Sequence, residues 1–223
     1  MAASVYNHSK LYLYTGNPVS TPLDNLLQHP ALWRAGGGRF SHRDAVPTGF
    51  AALDACLPDG GWPHPALIEV LNDRAGVGEL GLLLPALRCL SEEQSTTIAW
   101  FNPPHLPYPP ALAERGLGQV RQLVSRPLAA PKALWAMEQA LRSGACAAVL
   151  AWTEAADTHA LRRLKLAAIE GGCIGFLFRS LRHRPRPSPA TVRLALHTEG
   201  AALVVDLVKV QGGRAATLRL SPN

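Results

Sequence analysis

Residues 66 to 93 read ALIEVLNDRAGVGELGLLLPALRCLSEE, and this stretch decides the fold. Its first six residues form an apolar run of the kind that fills a strand buried on both faces of a parallel sheet. A glycine-bearing turn follows at 72–79, and the Leu-rich run after it predicts a helix over 79–93. A strand, a glycine turn and a helix in this order predict one unit of an α/β fold.

The turn stands where a phosphate-binding loop would hold a nucleotide, but it has no lysine. A working loop has the pattern G-x-x-x-x-G-K-[ST], in which backbone N–H groups cradle the phosphates, the lysine reaches their oxygens and the hydroxyl holds Mg²⁺. Asn72 replaces the first glycine, and the lysine position falls on Gly78 or Glu79, where a carboxylate would repel a triphosphate. Any strand-to-helix turn favours glycine, so the turn alone decides little. We interpret Asn72, Gly76, Gly78 and Glu79 as a vestigial nucleotide loop and expect no cofactor.

The segment ahead of the turn, residues 46–71, reads VPTGFAALDACLPDGGWPHPALIEVL. It resembles the start of the ATPase core in the RecA/RadA/KaiC family, with Pro-Thr-Gly before a short helix, a Gly-Gly pair and Glu69 inside the first strand. Thr48 is expected to cap the short helix, and the stretch 59–61, Asp-Gly-Gly, to end it in the left-handed conformation that these residues tolerate.

The magnesium position of this family carries other residues here. The apolar run 146–152 predicts a central strand, but at its tip the metal-binding Asp is replaced by Trp152 or Thr153. The nearest carboxylates, Glu154 and Asp157, are expected in the first turn of the next helix, where they favour its dipole.

Two further elements of the family are incomplete. Where the water-activating Glu belongs, the chain reads NPPHLPYPP, in which only Asn102 and His105 could do polar work. RecA proteins place two lysines on a late strand to reach the ATP of a neighbouring subunit, and the matching residues here are Lys209 and Gln211. The resemblance therefore implies a RecA-like domain that does not hydrolyse ATP and is not an enzyme, with residual nucleotide binding left open.

Alternating strands and helices predict the fold class: α/β, a RecA-like core with a mostly parallel sheet flanked by helices. Beyond residue 180, three β-type runs indicate a C-terminal antiparallel β extension, whose last two strands are joined by a hairpin at 211–213. Residues 1–45 are predicted to form an N-terminal arm with a short helix at 22–33 and a Gly-rich joint, and residues 46–223 the RecA-like domain. Strands are predicted near 66–71, 96–101, 119–124, 146–152 and 173–178, and helices near 79–93, 110–116, 131–142 and 157–170.

Basic residues concentrate near the C-terminal end. Residues 162–219 hold 11 Lys and Arg against 3 Asp and Glu, and the whole chain has a net charge of +6. The densest stretch, RSLRHRPRPSPA, stands where RecA proteins have a mobile DNA-binding loop, and Arg suits phosphate contact. It has no aromatic residue to stack bases, so a solvated loop or a patch for an acidic protein remains an alternative. The candidate DNA or partner contacts are Arg179, Arg182, Arg184 and Arg186.

Composition is typical of one cytoplasmic domain. With 48% hydrophobic residues, the 223 residues can bury about 70% of their unfolded surface in one core. The chain begins without an apolar signal stretch, and no apolar run approaches the roughly 20 residues that span a bilayer, so we expect a cytoplasmic protein with no membrane partner. Four scattered cysteines and eight scattered histidines predict neither a disulfide nor a metal site.

Three stretches carry a narrower resemblance: LLQHPALWR at 26–34, GVGELGLLLPAL at 76–87, and the pair ALRSGACAAVLAW and IEGGCIGFLFRS at 140–152 and 169–180. Together they are similar to the ImuA family, the RecA-related accessory proteins of bacterial translesion synthesis. The resemblance implies a non-catalytic adaptor of SOS-induced synthesis, with ImuB and an error-prone C-family DNA polymerase as partners, and RecA filaments and single-stranded DNA as further ones. SulA, the SOS-induced inhibitor of FtsZ, shares the Leu-rich helix and the last two segments but lacks segment 46–71, so a SulA-like inhibitor is the alternative.

Overall fold

An eight-stranded mixed sheet lies at the centre of the computed structural model, which describes residues 45–92 and 97–221. Its strands are β1 (Ala66–Leu71), β2 (Thr97–Phe101), β3 (Arg121–Val124), β4 (Cys146–Trp152), β5 (Ile174–Arg179), β6 (Val192–Glu199), β7 (Ala202–Val210) and β8 (Ala216–Leu220). They follow the order β3-β2-β4-β5-β1-β6-β7-β8 across the sheet. The first six in this order are parallel, and β7 and β8 are antiparallel. The mixed α/β fold expected from the sequence is therefore present.

Five α-helices occur in the described ranges: α1 (Ala51–Asp54), α2 (Glu79–Glu92), α3 (Pro109–Glu114), α4 (Ala130–Arg142) and α5 (Thr158–Glu170). Short 3₁₀ turns lie at Pro58–Gly60 and Leu181–His183. None of these helices is long and apolar enough to cross a membrane. The predicted N-terminal helix and glycine joint lie outside the described residues.

One strand pairs differently from the prediction. The sequence pattern assigns the run that contains β6 to the antiparallel extension, whereas β6 lies parallel to β1, with Ile68 opposite Val192. Parallel strands need a crossover of about a dozen residues or more. The chain between β5 and β6 supplies it, because residues 180–191 pass over β1. We call residues 180–190 the arginine loop.

The two faces of the sheet bury separate cores because successive strand residues point to opposite sides. One core gathers Ile68, Val70 and Phe176 under α2 and segment 46–62. The other gathers Leu67 and side chains of β2, β4 and β5 under α4 and α5. β6, β7 and β8 extend the first core, so the C-terminal strands are an integral part of the domain.

Segment 46–62 packs closely on α2. The backbones of Val46 and Trp62 are joined by hydrogen bonds of 2.9 and 2.7 Å, and Trp62 is fully buried. Gly49 has a φ of 83°, and a Cβ atom placed there would lie 2.5 Å from the Cβ of Pro85. Glycine is required at this position both by the left-handed backbone and by the approach to α2.

Both ends of the short helix α1 differ from the prediction. The prediction that residues 59–61 end the helix is wrong, because α1 ends at Asp54 and its C-cap, Ala55, is right-handed with a φ of −63°. Asp59 and Gly60 have left-handed φ of 59° and 75°, but they lie in the separate 3₁₀ turn Pro58–Gly60. The prediction that Thr48 caps the helix is wrong, because the N-cap is Phe50 and has no side-chain cap bond. The Thr48 hydroxyl instead accepts a hydrogen bond from the N–H of Phe50 at 3.1 Å, and the Thr48 N–H donates to Asp54.

Candidate functional site

The turn between β1 and α2 binds its own carboxylate. Gly76 and Gly78 have φ of 83° and 103°, in the left-handed region that glycine tolerates. The Oε1 atom of Glu79 accepts a hydrogen bond of 2.8 Å from the N–H of Gly76, and Glu79 is only 4% exposed. An N–H group that a phosphate would need at a helix N-terminus is therefore already bonded to an acidic side chain.

The start of the turn is tied to the end of β5. The N–H of Asn72 donates to the carbonyl of Arg179 at 2.9 Å. The Oδ1 atom of Asp73 accepts hydrogen bonds from the hydroxyl of Ser180 at 2.8 Å and from the N–H of Leu181 at 2.9 Å. Of the four predicted loop residues, three meet at the start of α2, whereas Asn72 joins the end of β1 to the end of β5.

At the tip of β4, Trp152 lies between two other aromatic rings. Its ring stacks on Phe178 with a centroid distance of 4.3 Å and lies parallel to Trp100 at 6.2 Å. The indole N–H of Trp100 donates to Gln122 at 2.7 Å, which fixes that ring. Mg²⁺ is held by oxygen ligands, and the aromatic stack at this strand tip supplies none.

The two carboxylates that follow β4 have different roles. Asp157 is the N-cap of α5, and its Oδ1 accepts a hydrogen bond of 2.7 Å from the N–H of Ala160. The prediction that Glu154 lies in the first turn of this helix is wrong, since α5 begins four residues later. Glu154 accepts instead from the N–H of Ser180 at 2.8 Å and from the guanidinium of Arg182 at 3.0 Å. These two donors hold it against the arginine loop.

Asn102 closes the base of the Pro-rich loop after β2. It adopts a φ of 51°. Its side chain accepts from the N–H of Leu128 at 2.7 Å and donates to the carbonyl of the same residue at 2.9 Å. Asn102 is therefore a structural residue at the base of this loop. Beyond it the loop exposes Leu106 by 80% and Tyr108 by 68%.

A cavity of about 250 Å³ lies where the turn, the tryptophan pair and the Pro-rich loop meet. Pockets for small molecules usually measure about 300–1,000 Å³, so this one is small for a nucleotide. Among the residues that the structure describes, Glu79 is the only Asp, Glu, Lys or Arg in its lining. The walls are residues 75, 76 and 78–81, Trp100, Trp152, 103–105 and 107.

Glu69 forms a buried ion pair with two arginines. It is fully buried, and its carboxylate oxygens lie 2.8 Å from Nη1 of Arg179 and 2.6 Å from Nε of Arg193. Both arginine side chains are only 5% exposed. Parallel pairing of β1 with β5 and β6 brings the three together. The structure thus places Arg179, one of the four predicted contact residues, in the interior and not on the surface, because Glu69 holds it there.

Arg193 also holds the arginine loop from inside. Its guanidinium donates to the carbonyls of His183 and Arg186, each at 2.9 Å. The Nδ1 atom of His183 lies 2.9 Å from Nη2 of Arg179, which can only donate, so Nδ1 accepts. The imidazole proton therefore lies on Nε2, which donates to Glu154 at 2.8 Å. This continuous set of contacts links the buried ion pair to the surface of the loop.

Three arginines of the loop remain exposed. Arg182 pairs with Glu154 and Arg184 pairs with Asp206, each at 3.0 Å. Arg186 forms no ion pair with any residue that the structure describes. Glu154 and Asp206 therefore offset two of the three positive charges, and the outer surface of the loop keeps a net charge of about +1.

Local hydrogen bonds lower the pKa of both carboxylates that hold the loop. Partial burial raises the pKa of Glu154, but hydrogen bonds from the Ser180 N–H and from His183 lower it more. The hydroxyl of Thr217 lowers the pKa of Asp206, partial burial opposes it, and the bond from the paired arginine lowers it further. Both groups are therefore ionised at neutral pH, in the state that binds the arginines.

The two positions of the RecA lysine pair are engaged within the chain. The ammonium of Lys209 donates to the carbonyl of Ser188 at 2.7 Å, and Gln211 accepts from Lys165 at 3.0 Å. Desolvation and then the charge of Lys209 lower the pKa of Lys165. Desolvation and then the charge of Arg193 lower the pKa of Lys209. Lys209 therefore holds the arginine loop in place through the carbonyl of Ser188.

The cysteines belong mainly to the core. None of the four, which all lie in the described ranges, forms a disulfide; Cys56 and Cys89 are half-buried, and Cys146 and Cys173 are buried. Burial raises the pKa of the Cys146 and Cys173 thiols, which makes them poor nucleophiles. Across residues 45–92 and 97–221, no three His, Cys, Asp or Glu side chains come together as a metal site.

Arg193 has no part in the predictions from sequence, although a signal for it exists. Glu69 and Arg193 each interrupt an apolar strand, in ALIEVL and ATVRLALH. A charge inside a buried strand needs an opposite charge beside it, because an unpaired buried charge is costly. Two such interruptions of opposite sign in one chain therefore suggest a pair.

The fold and the site together define an α/β domain whose turn between β1 and α2 contains no lysine. Residues 67–175 match the family model described as Cell division inhibitor SulA. The Cell division inhibitor SulA of Edwardsiella piscicida is 34% identical over 123 residues, which cover 55% of this chain and 73% of that protein. The chain belongs to the SulA family.

Two further similarities complete the comparison. Protein ImuA of Caulobacter vibrioides (strain NA1000 / CB15N) is 29% identical over 141 residues. These cover 61% of this chain and 57% of that protein, so the match spans little more than half of ImuA. The crystal structure of SulA from Pseudomonas aeruginosa has 30% identity and a TM-score of 0.42, over 51% of this chain and 97% of that chain.

Proposed function

We propose that this protein is a non-catalytic, RecA-like adaptor of SOS-induced translesion DNA synthesis. The observation that carries the proposal is the hydrogen bond from the Gly76 N–H to Glu79, beside a strand tip that holds Trp152. Phosphoryl transfer depends on cationic groups and Mg²⁺ around the phosphates. An acid and stacked rings at these two positions supply neither. The domain therefore acts through its surfaces and not through ATP hydrolysis.

Parts of the chain outside the SulA family model favour an ImuA-like role. That model covers residues 67–175, which excludes segment 46–62 and β6 to β8. Both parts contribute buried side chains to one core, so they belong to the domain. The resemblance of residues 46–71 to RecA proteins and the match to ImuA support an adaptor. By that resemblance its partners are ImuB and an error-prone C-family DNA polymerase, with RecA filaments as a further partner.

The arginine loop is the proposed contact for single-stranded DNA or for an acidic partner surface. Arg182, Arg184 and Arg186 are exposed on one short loop. Contacts to phosphate would exchange the ion pairs with Glu154 and Asp206 for pairs with the ligand. Because the arginines must give up these ion pairs to bind phosphate, the net free energy of binding is reduced. We therefore expect modest affinity and strong dependence on salt.

A SulA-like inhibitor of cell division that acts on FtsZ is the second candidate. It is favoured by the 34% identity to a protein of that name over 73% of its length. The matched family region includes the turn and β1 to β4, so the cavity beside Glu79 lies within it.

Three assays on the full chain separate these functions. Co-purification with ImuB and the C-family polymerase is expected for the adaptor, and stoichiometric inhibition of FtsZ GTPase activity for the inhibitor. Phosphate release from Mg²⁺-ATP should stay at background with and without single-stranded DNA. Inhibition of FtsZ without ImuB binding would reverse the ranking, and ATP turnover that a change at Glu79 abolishes would contradict a non-catalytic role.

A further inference from the structure

We propose that Lys165 and Lys209 together form a phosphate-binding point that continues the contact of the arginine loop with single-stranded DNA. The inference rests on the proposed DNA contact and deepens it with a second group of cations. Lys165 lies on α5 and Lys209 on β7. We call these two residues the lysine pair.

The lysine pair differs from the other partly buried cations in having no carboxylate partner. Five lysine and arginine side chains within 45–92 and 97–221 are at least partly buried. Three of them lie against a carboxylate, namely Arg142, Arg179 and Arg193. The ammonium groups of Lys165 and Lys209 donate only to neutral oxygens, those of Gln211 at 3.0 Å and Ser188 at 2.7 Å. Partial removal of a charge from water without an opposite charge is costly, so an anion from outside the chain would stabilise the pair.

Neighbouring positive charges add to this cost. Lys209 lies directly opposite Arg193 in the antiparallel β6–β7 pair, and like charges in such positions are destabilising. Glu69 contacts Arg193 at 2.6 Å but is shared with Arg179. Desolvation and then the charge of Lys209 lower the pKa of Lys165, so the two ammonium groups are close enough to repel each other. Local arrangements of this unfavourable kind are typical of functional sites.

The lysine pair lies at the end of the arginine loop that leads into β6. Lys209 holds the carbonyl of Ser188, two residues beyond Arg186. Arg186 is exposed and forms no ion pair within the described part of the chain. Both lysines are half-buried, so part of each side chain remains open to solvent. One phosphate at the pair would therefore be followed along a strand by phosphates at the exposed arginines.

The chemistry of the pair suits a phosphate oxygen. Each ammonium group has three N–H donors and makes one hydrogen bond in the structure, which leaves donors for a ligand. Lysine binds phosphate as a point charge and needs no fixed geometry. A nucleic acid strand carries one negative charge on every nucleotide, so successive phosphates can neutralise the pair and the loop together. An acidic protein surface would need several carboxylates close together, which repel one another before binding.

The test is fluorescence anisotropy of a labelled twelve-nucleotide oligo-dT with the full chain over a range of salt concentrations. Lys165→Gln should reduce the slope of log K against log[salt] by about 0.7, which corresponds to about fivefold weaker binding at 0.1 M salt. Lys132→Gln is the matched control, because it removes the same charge from an exposed lysine on α4 and should leave binding unchanged. Lys165→Arg keeps the charge and should retain the slope.

Thermal unfolding separates this role from a purely structural one. Lys165→Gln removes a repelling charge, so its Tm without DNA should equal or exceed that of the unaltered chain. A lower Tm with unchanged DNA affinity would show that Lys165 serves only the fold and would overturn the inference. If Lys165→Gln fails to fold, Lys209→Gln with the same salt series decides, and an unchanged slope there would have the same meaning.

Other outcomes distinguish this inference from the proposals on which it rests. Equal affinities of Lys165→Gln and Lys132→Gln would remove the lysine pair from the DNA contact and leave the arginine loop to its own salt series. Weaker co-purification of Lys165→Gln with ImuB at unchanged DNA affinity would reassign the pair to an acidic protein surface, against the inference. If the unaltered chain does not bind oligo-dT, both DNA contacts fail, and co-purification with ImuB alone decides the adaptor role.

Discussion

Replacement of Glu69 by Gln is expected to destabilise the fold strongly. The change keeps the size of the side chain but removes the only carboxylate within the described ranges that contacts the guanidiniums of Arg179 and Arg193. Both arginines are 5% exposed, so water cannot replace the lost charge. A Gln side chain can accept from one arginine, but its amide N–H₂ group then faces the other.

The expected loss is about 3–5 kcal/mol, the range measured when one partner of a buried ion pair is removed. Domains have a total stability of about 5–15 kcal/mol, so the loss is a large part of the whole. With a urea m-value of about 2 kcal/mol/M, the midpoint of unfolding should fall by roughly 1.5–2.5 M.

Glu138→Gln is the matched control, because Glu138 also bridges two arginines. Its partners Arg142 and Arg163 have side chains that are 37% and 49% exposed, so water can solvate them after the change. The expected loss is about 1 kcal/mol or less, which is roughly 0.5 M in the urea midpoint. Urea titrations followed by circular dichroism at pH 7 measure both shifts. Equal shifts in the two variants would refute the claim that burial of the arginines sets the cost.

The remaining predictions concern pH, a glycine and salt. Glu154 and Asp206 have lowered pKa values in the folded state, so their contribution to stability is complete above the unfolded values of about 4 and is lost as pH falls below them. Urea midpoints measured down to acid pH should therefore fall less steeply in Glu154→Gln. Gly49→Ala should lower the Tm by several degrees because it adds a contact with Pro85 to backbone strain. Gly76→Ala, with the same φ of 83° and open space, should cost less, and an equal loss would exclude the contact as the cause. Replacing the three exposed arginines of the loop with Ala should reduce the slope of log K against log[salt] for single-stranded DNA by about 2. An unchanged slope would mean that DNA contacts another surface.

Local patterns predicted the elements because their signals lie within a few neighbouring residues. The apolar run of β1, the glycine turn and the Leu-rich α2 are each recognisable from side-chain type and spacing. The left-handed backbone at Asp59 and Gly60 follows from residue type in the same way, although α1 already ends at Asp54. The absence of a lysine from the turn is likewise a property of the sequence alone.

Contacts between distant residues were not predicted, because they depend on strand order and register. Glu69 lies 110 residues from Arg179 and 124 from Arg193, and only the placement of β1 between β5 and β6 makes them neighbours. Glu154 likewise lies before α5 and not in its first turn, where it accepts hydrogen bonds from Ser180 and Arg182.

By itself, the sequence determined the alternation of strands and helices, the absence of lysine from the turn at 72–79 and the concentration of arginine near the C-terminal end. Only the tertiary structure decided which charges are buried and which remain free. It drew Arg179 into the core, left Arg186 without an ionic partner among the described residues and bonded Glu79 to the amide of Gly76. The physical reason is that the free energy of a charge depends on its solvation and its partners, and both are set by the assembled sheet.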